Sequence, residues 1–598
     1  MSTLLEQASL VMIPSGYAED IVYSVIPQSG AGDLSFTRAS IGTRINSAGL
    51  VEVCPWNLLQ DSNTFSSGNW ATYFGTTADN QAISPDGTQN AAKVTLSSGG
   101  FATLRQSISG PTNGQPYTFS LYIKQGSGVT GFLDIGDTTG TVNITPTSEW
   151  VRYTYTANWN TSLNFVDIEL RGASGSAFCY IWGAQLNIGS TAKPYFPTTD
   201  RLNVPRLTYQ NGGGGCPSLL LEKQSTNETW YSEDFSQSYW TKQGLTVTAN
   251  SIVSPDGTQN ADLLTLNTSL AEHNVYAPAS GLPITSNAPY TFSCYVKKGT
   301  GRYFCVATYF TGVGFGPYAT FDLNTATLVA SGASFGTYSS SKIENMGNDW
   351  YRCSVSGFGP YTSLIFAPDV RSASSLIPGV PFTGASETMY IWGAQFEASS
   401  YPTSYIPTLT TSSATRVADA CYKTGISSLI GQTEGVMFAD FDMTTNANSG
   451  AYQTILNLAT DANNSIDILK NNTTAELYIF AINGGVIQVN SVGIAGTNIL
   501  GRHKIALAYK LNDYVCYLDG VQIYADTSAT VPACSNFYVG AYLGASNQLG
   551  GSIGEAILFP TRLTNSEIAQ LTGNQNYTIN QAYASYGVAS ESPNCVQP

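Results

Sequence analysis

Chemistry in this chain would have to come from few residues. A nucleophile–histidine–acid site needs an imidazole base, and the sequence has two histidines, His273 and His503. His273 lies in the loop-like stretch Ala271-Glu-His-Asn274, and His503 opens a strand-like run. Neither has a partner motif, and Gly-x-Ser-x-Gly is not seen in a strand–turn–helix context, so both are read as structural. Glycoside hydrolysis needs two carboxyl groups about 5–10 Å apart across a cleft. Asp167-Ile-Glu169 and Asp440-Phe-Asp442 each place two acids on one strand face, but the second lacks a third acid. Both are read as solvated strand faces, and no catalytic activity is expected.

Sugar binding makes different demands: aromatic faces for C–H-rich rings, and amide or carboxylate groups for hydroxyls. Trp70, Tyr73, Tyr239 and Trp240 follow turn-rich stretches and are the candidate carbohydrate-binding residues, with Phe74 beside them. Trp182 and Trp392 sit in alternating Tyr-Ile-Trp runs and are expected in the core. Asp86 and Asp256 stand in Pro-Asp-Gly, a turn signal in which Pro presets φ and Gly accepts φ > 0. A structural calcium ion at one of these loops is the alternative, although no Asp-x-Asp-x-Asp-Gly loop is present; otherwise no cofactor or metal is expected. The run Gly212–Gly215 lacks the context of a phosphate cradle and is read as a loop.

The elements that position these residues are strands. Short alternating runs such as Tyr117-Thr-Phe-Ser-Leu-Tyr-Ile are separated by Asp-Gly turns, the pattern of sandwiches or barrels. One short helix is expected at Asn565-Ser-Glu-Ile-Ala-Gln-Leu571, capped by Thr564 or Asn565. The fold class is therefore all-β: a multidomain string of antiparallel β-sandwiches with almost no helix.

Two of those sandwiches are copies. Ser84-Pro-Asp-Gly-Thr-Gln-Asn-Ala91 returns unchanged as Ser254–Ala261, and Tyr180-Ile-Trp-Gly-Ala-Gln185 as Tyr390–Gln395. Pro116-Tyr-Thr-Phe-Ser and Tyr195-Phe-Pro-Thr198 have counterparts at Pro289 and Tyr405 in the same order, which marks a duplicated domain. The expected division is an N-terminal segment 1–55, module 1 at 56–200 and a connector 201–225 that packs with the N-terminal segment. Module 2 follows at 226–410, then a linker 411–424, a further sandwich 425–574 and a tail 575–598.

Charged residues make up 11% of the 598, and the net charge is −15. With no Lys/Arg run, neither a nucleic acid nor an anionic membrane is an expected partner. No apolar stretch has the length of a transmembrane helix. The N-terminus lacks the pattern of a secretory signal, so export at cell lysis is one expected route. Ten cysteines without a C-x-x-C are expected as buried thiols, with Cys294–Cys305 or Cys305–Cys353 pairing as the alternative.

These segments carry a resemblance. Phe36-Thr-Arg-Ala-Ser40, Gly49-Leu-Val-Glu52, Pro205-Arg206, Leu219-Leu-Leu-Glu222, Tyr231-Ser-Glu-Asp-Phe235 and Tyr390–Gln395 together resemble phage and prophage fibre proteins. In that family the repeated unit is similar to jelly-roll carbohydrate-binding modules. Gly501–Tyr509, Val515–Gly520 and Gly554–Phe559 resemble the laminin G-like, concanavalin A-like sandwiches. The resemblance implies a virion location, attachment to capsid or tail through the N-terminal segment, a host-surface glycan as ligand, and homotrimers. A secreted polysaccharide-binding protein and a capsid decoration without a glycan ligand are the alternatives. No collagen-like, heptad or triple-β-helix shaft is present, so a fibre of this kind would be a string of globular domains.

Overall fold

The computed structural model describes residue 4 and residues 6–573, apart from 110, 112–113, 137–140, 161, 173–176, 444–451, 492, 495 and 545. The expected tail 575–598 lies outside the described residues. Strands dominate; among the described residues the strands pair antiparallel, and the helix Asn565–Thr572 is the one helix of more than a turn. The chain is an all-β protein of several sandwiches. It forms two compact units: Val53–Val204, and Met1–Glu52 together with Pro205–Pro598.

The first unit is module 1. Its two five-stranded sheets enclose a core that includes Phe65, Trp70, Phe119, Leu121, Ile168 and Ile181. Alternation builds it: along Phe101–Ser107, Ala102, Leu104 and Gln106 point inward while Phe101, Thr103 and Arg105 point out. Module 2, within the second unit, repeats the plan with two six-stranded sheets around Phe235, Trp240, Phe292 and Phe366.

The repeated motifs form the same knot twice. Asn57 Nδ2 donates to Ala184 O (3.1 Å) and Phe196 O (2.9 Å), and Asn227 Nδ2 donates to Ala394 O (3.0 Å) and Ile406 O (2.8 Å). Tyr195 and Tyr405 pack on Trp182 and Trp392 at 4.6 and 4.7 Å, and each phenol meets a serine hydroxyl at 2.7 Å. The Tyr-Ile-Trp-Gly-Ala-Gln and Tyr-x-Pro-Thr anchors are thus two halves of one tie between a core strand and the returning chain.

Residues 10–37 of the stretch 1–55, expected as a separate segment, are instead built into the last sandwich, while Gly42–Ile45 and Val51–Cys54 pair as a two-stranded sheet of their own. Leu10–Met12 pairs with Gly551–Phe559, whose same edge also takes Ser218–Leu221 from the connector. Tyr17–Ala18, Ile21–Val22 and Leu34–Thr37 extend the opposite sheet to nine strands. Leu10, Val11 and Met12 are buried, because a strand inserted beside a core strand must cover the same apolar face. The expected linker 411–424 is likewise structured: Ala414–Arg416 pairs with Ser225–Asn227, and Ala420–Lys423 joins the nine-stranded sheet. In this sandwich Asp519 (φ 49°) and Gly520 (φ 83°) make the two-residue turn joining Tyr514–Leu518 to Val521–Asp526, the conformation a tight hairpin requires.

Four of these segments meet on a buried ion cluster. Arg38 contacts Asp419 at 3.0 Å, Arg206 reaches both Asp419 and Glu222 (2.9 Å), and Arg416 lies 3.5 Å from Glu222. The Glu222 N–H donates to Asp419 (2.9 Å), and Ser404 donates twice to Glu222. Burial opposes ionisation of Glu222, but Arg416, Arg206 and the Ser404 donors hold its carboxyl down at about 2.

The helix is closed by a capping box between Thr564 and Glu567. Thr564→Ala is expected to cost about 1 kcal/mol, read as a lower denaturant midpoint of this sandwich with no change in far-UV signal at low denaturant.

Candidate functional site

The four candidate aromatic residues separate into two kinds. Trp70 (4% exposed) and Trp240 (1%) are core residues, which corrects their assignment as sugar platforms. Each follows a loop whose carbonyl its indole N–H reaches, Asp61 O at 3.2 Å and Tyr231 O at 3.1 Å, while the ring packs on Phe65 or Phe235. Turning the indole inward satisfies the N–H and buries the ring at once. Tyr73 is 47% exposed, with Phe74 at 73%. Tyr239 is half-buried and stacks at 5.4 Å under Trp230, an exposed tryptophan that the repeat pattern does not single out because module 1 has Gln60 there.

Tyr73 belongs to an open sheet face in module 1. Strand pairing sets Tyr73 opposite Thr103, Thr103 opposite Glu169, Glu169 opposite Phe132, and Phe132 opposite Asn143. The next row runs Ala71, Arg105, Asp167, Asp134, and the row on the other side holds Phe101, Arg171 and Thr130. Pleating points all of these away from the core. Three aromatic rings therefore stand around two guanidinium–carboxylate couples.

The electrostatics of the face follow from that packing. Arg105 grips Asp167 with both Nε (2.7 Å) and Nη2 and lies over the Phe165 ring at 3.6 Å. Arg171 is 3.8 Å from Glu169 and lies over Phe132 at 5.0 Å. Partial burial, then the neighbouring Asp167, raises the Glu169 carboxyl, with Arg171 and Arg105 opposing. Such a face offers hydrogen-bond donors and acceptors side by side between apolar rings, the chemistry of a polyhydroxylated ligand.

Other sequence candidates resolve into structure. Asp167 and Asp440, read as lying on solvated faces, are each 1% exposed under an arginine; Arg502 holds Asp440 at 2.8 and 3.1 Å. A third acid stands beside Asp440 after all. Glu555 is opposite it on the neighbouring strand, its carboxyl raised to about 7 by burial and by Asp440. Sequence spacing could not reveal it across more than a hundred residues. His273 lies between Gly244 O (2.6 Å) and Phe382 O (3.1 Å), and His503 between Asp519 (2.6 Å) and Leu500 O (3.0 Å). No nucleophile is paired with either ring in these contacts.

The Pro-Asp-Gly turns are self-contained. Asp86 accepts from Ser84 Oγ (2.6 Å), Thr88 N and Oγ1 (2.8 Å each) and Asn90 Nδ2 (3.0 Å), and Asp256 repeats the set with Ser254, Thr258 and Asn260. Protein donors thus engage the carboxylate that the calcium alternative would need as a ligand. Among the described residues no group of three or more His, Cys, Asp or Glu is arranged to hold a metal ion. Cys294, Cys305 and Cys353 are unpaired and buried, with Cys294 and Cys353 opposite one another on adjacent strands. Burial pushes all three thiols up.

A cleft of about 760 Å³ lies between module 2 and residues 43–51 and 208–222, lined by Arg44, Tyr295, Lys342, Glu344, Arg352 and several serines. Both its arginines are committed to the fold: Arg44 holds Glu52 at 2.7 Å, and Arg352 donates to Ser293 Oγ (3.0 Å) and Thr403 O (2.7 Å), as Arg152 of module 1 does to Ser120 Oγ and Lys193 O.

No family model matches the sequence, and no curated protein matches it. Parts of the chain align with solved structures. A phage CBA120 tailspike protein 4 enzymatically active domain is 15% identical over 22% of this chain and 22% of its own, with a TM-score of 0.19; this chain thus spans about a fifth of its length. The CBM22-1–CBM22-2 tandem of Paenibacillus barcinonensis Xyn10C is 10% identical over 57% of this chain and 98% of its own (TM-score 0.18). The CBM40 of the Ruminococcus gnavus IT-sialidase is 17% identical over 25% and 91% (TM-score 0.22). At these scores they add nothing to what the strand pairings establish.

Proposed function

We propose that this protein is a non-catalytic attachment protein of a tailed-phage virion, a head or tail fibre, and that it binds a host-surface glycan through the open face of module 1. The observation that carries the binding role is that face: Tyr73, Phe101 and Phe132 around the Arg105–Asp167 and Arg171–Glu169 couples. Exposed rings beside paired charges are costly for a surface that only meets water, and they match the apolar and hydroxyl faces of a pyranose. The virion role rests on the motif resemblance and on a weakly charged, strand-built exterior; within it, the last sandwich is a laminin G-like domain and the assembly a homotrimer.

Glycan-array binding of the full chain tests the first part. Tyr73→Ala removes one stacking ring and is expected to weaken binding about tenfold, a loss of roughly 1.4 kcal/mol, with the thermal unfolding profile unchanged. Unaltered binding would remove the face from the mechanism. Antibody-gold labelling of purified particles tests the second part: label on capsid or tail is expected, and clean particles with free antigen would make it a secreted polysaccharide-binding protein.

A further inference from the structure

We propose that residues 372–382 of module 2 are a built-in occupant of the face that module 1 leaves open. On this proposal the chain carries one glycan face of this type, and the occupant's chemistry marks the ligand as an uncharged, hydroxyl-rich saccharide. The inference rests on the binding role proposed for module 1.

Strand pairing fixes which positions correspond. Arg171 faces Thr130 across the ladder as Arg371 faces Tyr303, Glu169 faces Phe132 as Asp369 faces Cys305, and Asp167 faces Asp134 as Ala367 faces Ala307. The arginine–acid couple is kept in both copies; its surroundings are not. In module 1 the strands ending at Gly172 and starting at Phe178 are joined by five residues, 173–177. In module 2 the strands ending at Arg371 and starting at Thr388 are joined by sixteen, 372–387.

The longer connection folds back over the sheet. Arg371 donates from Nε to Ser375 O (3.0 Å) and from Nη2 to Ile377 O (2.6 Å), Val380 O (2.7 Å) and Ser375 Oγ, while Nη1 holds Asp369 at 3.1 Å. Thr320, on the same face, donates to Leu376 O at 2.7 Å. Beneath this cover Cys305, Ala307, Ala367 and Asp369 are fully buried. The equivalent couple in module 1 has its arginine side chain 56% exposed and its glutamate 31%.

The occupant shows what the couple accepts. All four oxygens that it brings to Arg371 are neutral carbonyls or hydroxyls, and the guanidinium charge is met by Asp369 alone. In module 1 Glu169 already stands in that place, with Asp167 and Asp134 in the next row, so an anionic ligand would add to three carboxyl groups that face two guanidinium groups. Module 1 also differs where it gains Phe132 and Asp134 in place of Cys305 and Ala307. The exposed rings call for a C–H face and the Arg171–Glu169 couple for groups that both donate and accept; pyranose rings and their hydroxyls supply both together.

The test uses the full chain and an array of neutral glucans and galactans printed beside sialylated and uronate-containing counterparts, followed by calorimetric titration of the best binder. The expected result is binding to neutral spots at one ligand per chain. Arg171→Ala should lower affinity at least tenfold, and Ile377→Ser, in the exposed part of the plug, should leave it unchanged. Two ligands per chain, a requirement for carboxylated sugars, or loss through Ile377→Ser but not Arg171→Ala would overturn the inference while leaving glycan binding intact. Binding of a synthetic peptide of residues 372–382 in place of any saccharide would make the ligand a polypeptide and overturn it too. Failure to bind any glycan would remove the proposed function, and the inference with it.

Discussion

Asp419→Ala is expected to destabilise the unit that holds it by about 3–5 kcal/mol. Asp419 is 1% exposed, Arg38 and Arg206 are 0%, and Arg416 is 1%. Asp419 meets Arg38 with one carboxylate oxygen and Arg206 with the other, and it accepts the Glu222 N–H. Removing it leaves three guanidinium groups, those of Arg38, Arg206 and Arg416, in a site that water does not reach, with Glu222 as the remaining counter-charge in the ring. The cost is dominated by that uncompensated charge rather than by the lost attraction, because a buried ion pair is worth little net until one partner is taken away. Calorimetry should show the transition of the unit Met1–Glu52 with Pro205–Pro598 moving down, while that of Val53–Val204 stays in place. Asp419→Asn keeps the shape and one acceptor and should fall between wild type and Asp419→Ala. A shift worth less than 1 kcal/mol in the alanine variant would mean that the cluster is hydrated and not a structural hub.

That cluster also shows what was legible in the sequence. Phe36-Thr-Arg38, Pro205-Arg206 and Leu219–Glu222 stand out as motifs, yet nothing in their spacing says that they converge on Asp419. Strand alternation revealed the fold class because side-chain period is a local property. The assignment of Leu10–Met12 to an edge beside Gly551–Phe559 is a pairing across most of the chain, and local pattern carries no record of it. The same limit governs the site. Trp70 and Trp240 attract attention by residue type, but type does not tell whether an indole turns in or out. The open face instead depends on rows of residues from five strands, of which Tyr73 alone was singled out for sugar. The repeat helped and misled together: it located both modules, while the decisive difference lay in a connection of five residues against sixteen.

Divergence between the copies supplies a second large effect, this time in pH. Glu233 occupies the place of Asn63. In module 1 the Asn63 carbonyl oxygen accepts from Tyr195 (2.7 Å) and from the Gly183 N–H (3.1 Å). In module 2 Glu233 meets Tyr405 at 3.1 Å and Asn260 at 3.0 Å, and Asn260 is shared with Asp256 at 3.2 Å. Burial, then the neighbouring Asp256, pushes the Glu233 carboxyl up to about 8, against 4.5 for the ordinary group. A carboxyl raised on folding contributes stability that is fully present below pH 4.5 and is lost as pH rises through 8. Part of the residue still reaches solvent, so the loss between pH 5 and pH 8 is on the order of 1–2 kcal/mol, below the value for a fully desolvated group. Glu233→Gln keeps the acceptor and removes the titration, as Asn63 does in the sister module. The variant should lose less stability than the wild type from pH 5 to pH 8, because Asp262, Asp369 and Glu555, each raised to about 7, still titrate in both, and the two should coincide near pH 5. Denaturant midpoints at three pH values decide it: parallel curves would mean that Glu233 is ionised in the folded protein and that the exchange of Asn63 for Glu233 has no consequence for pH.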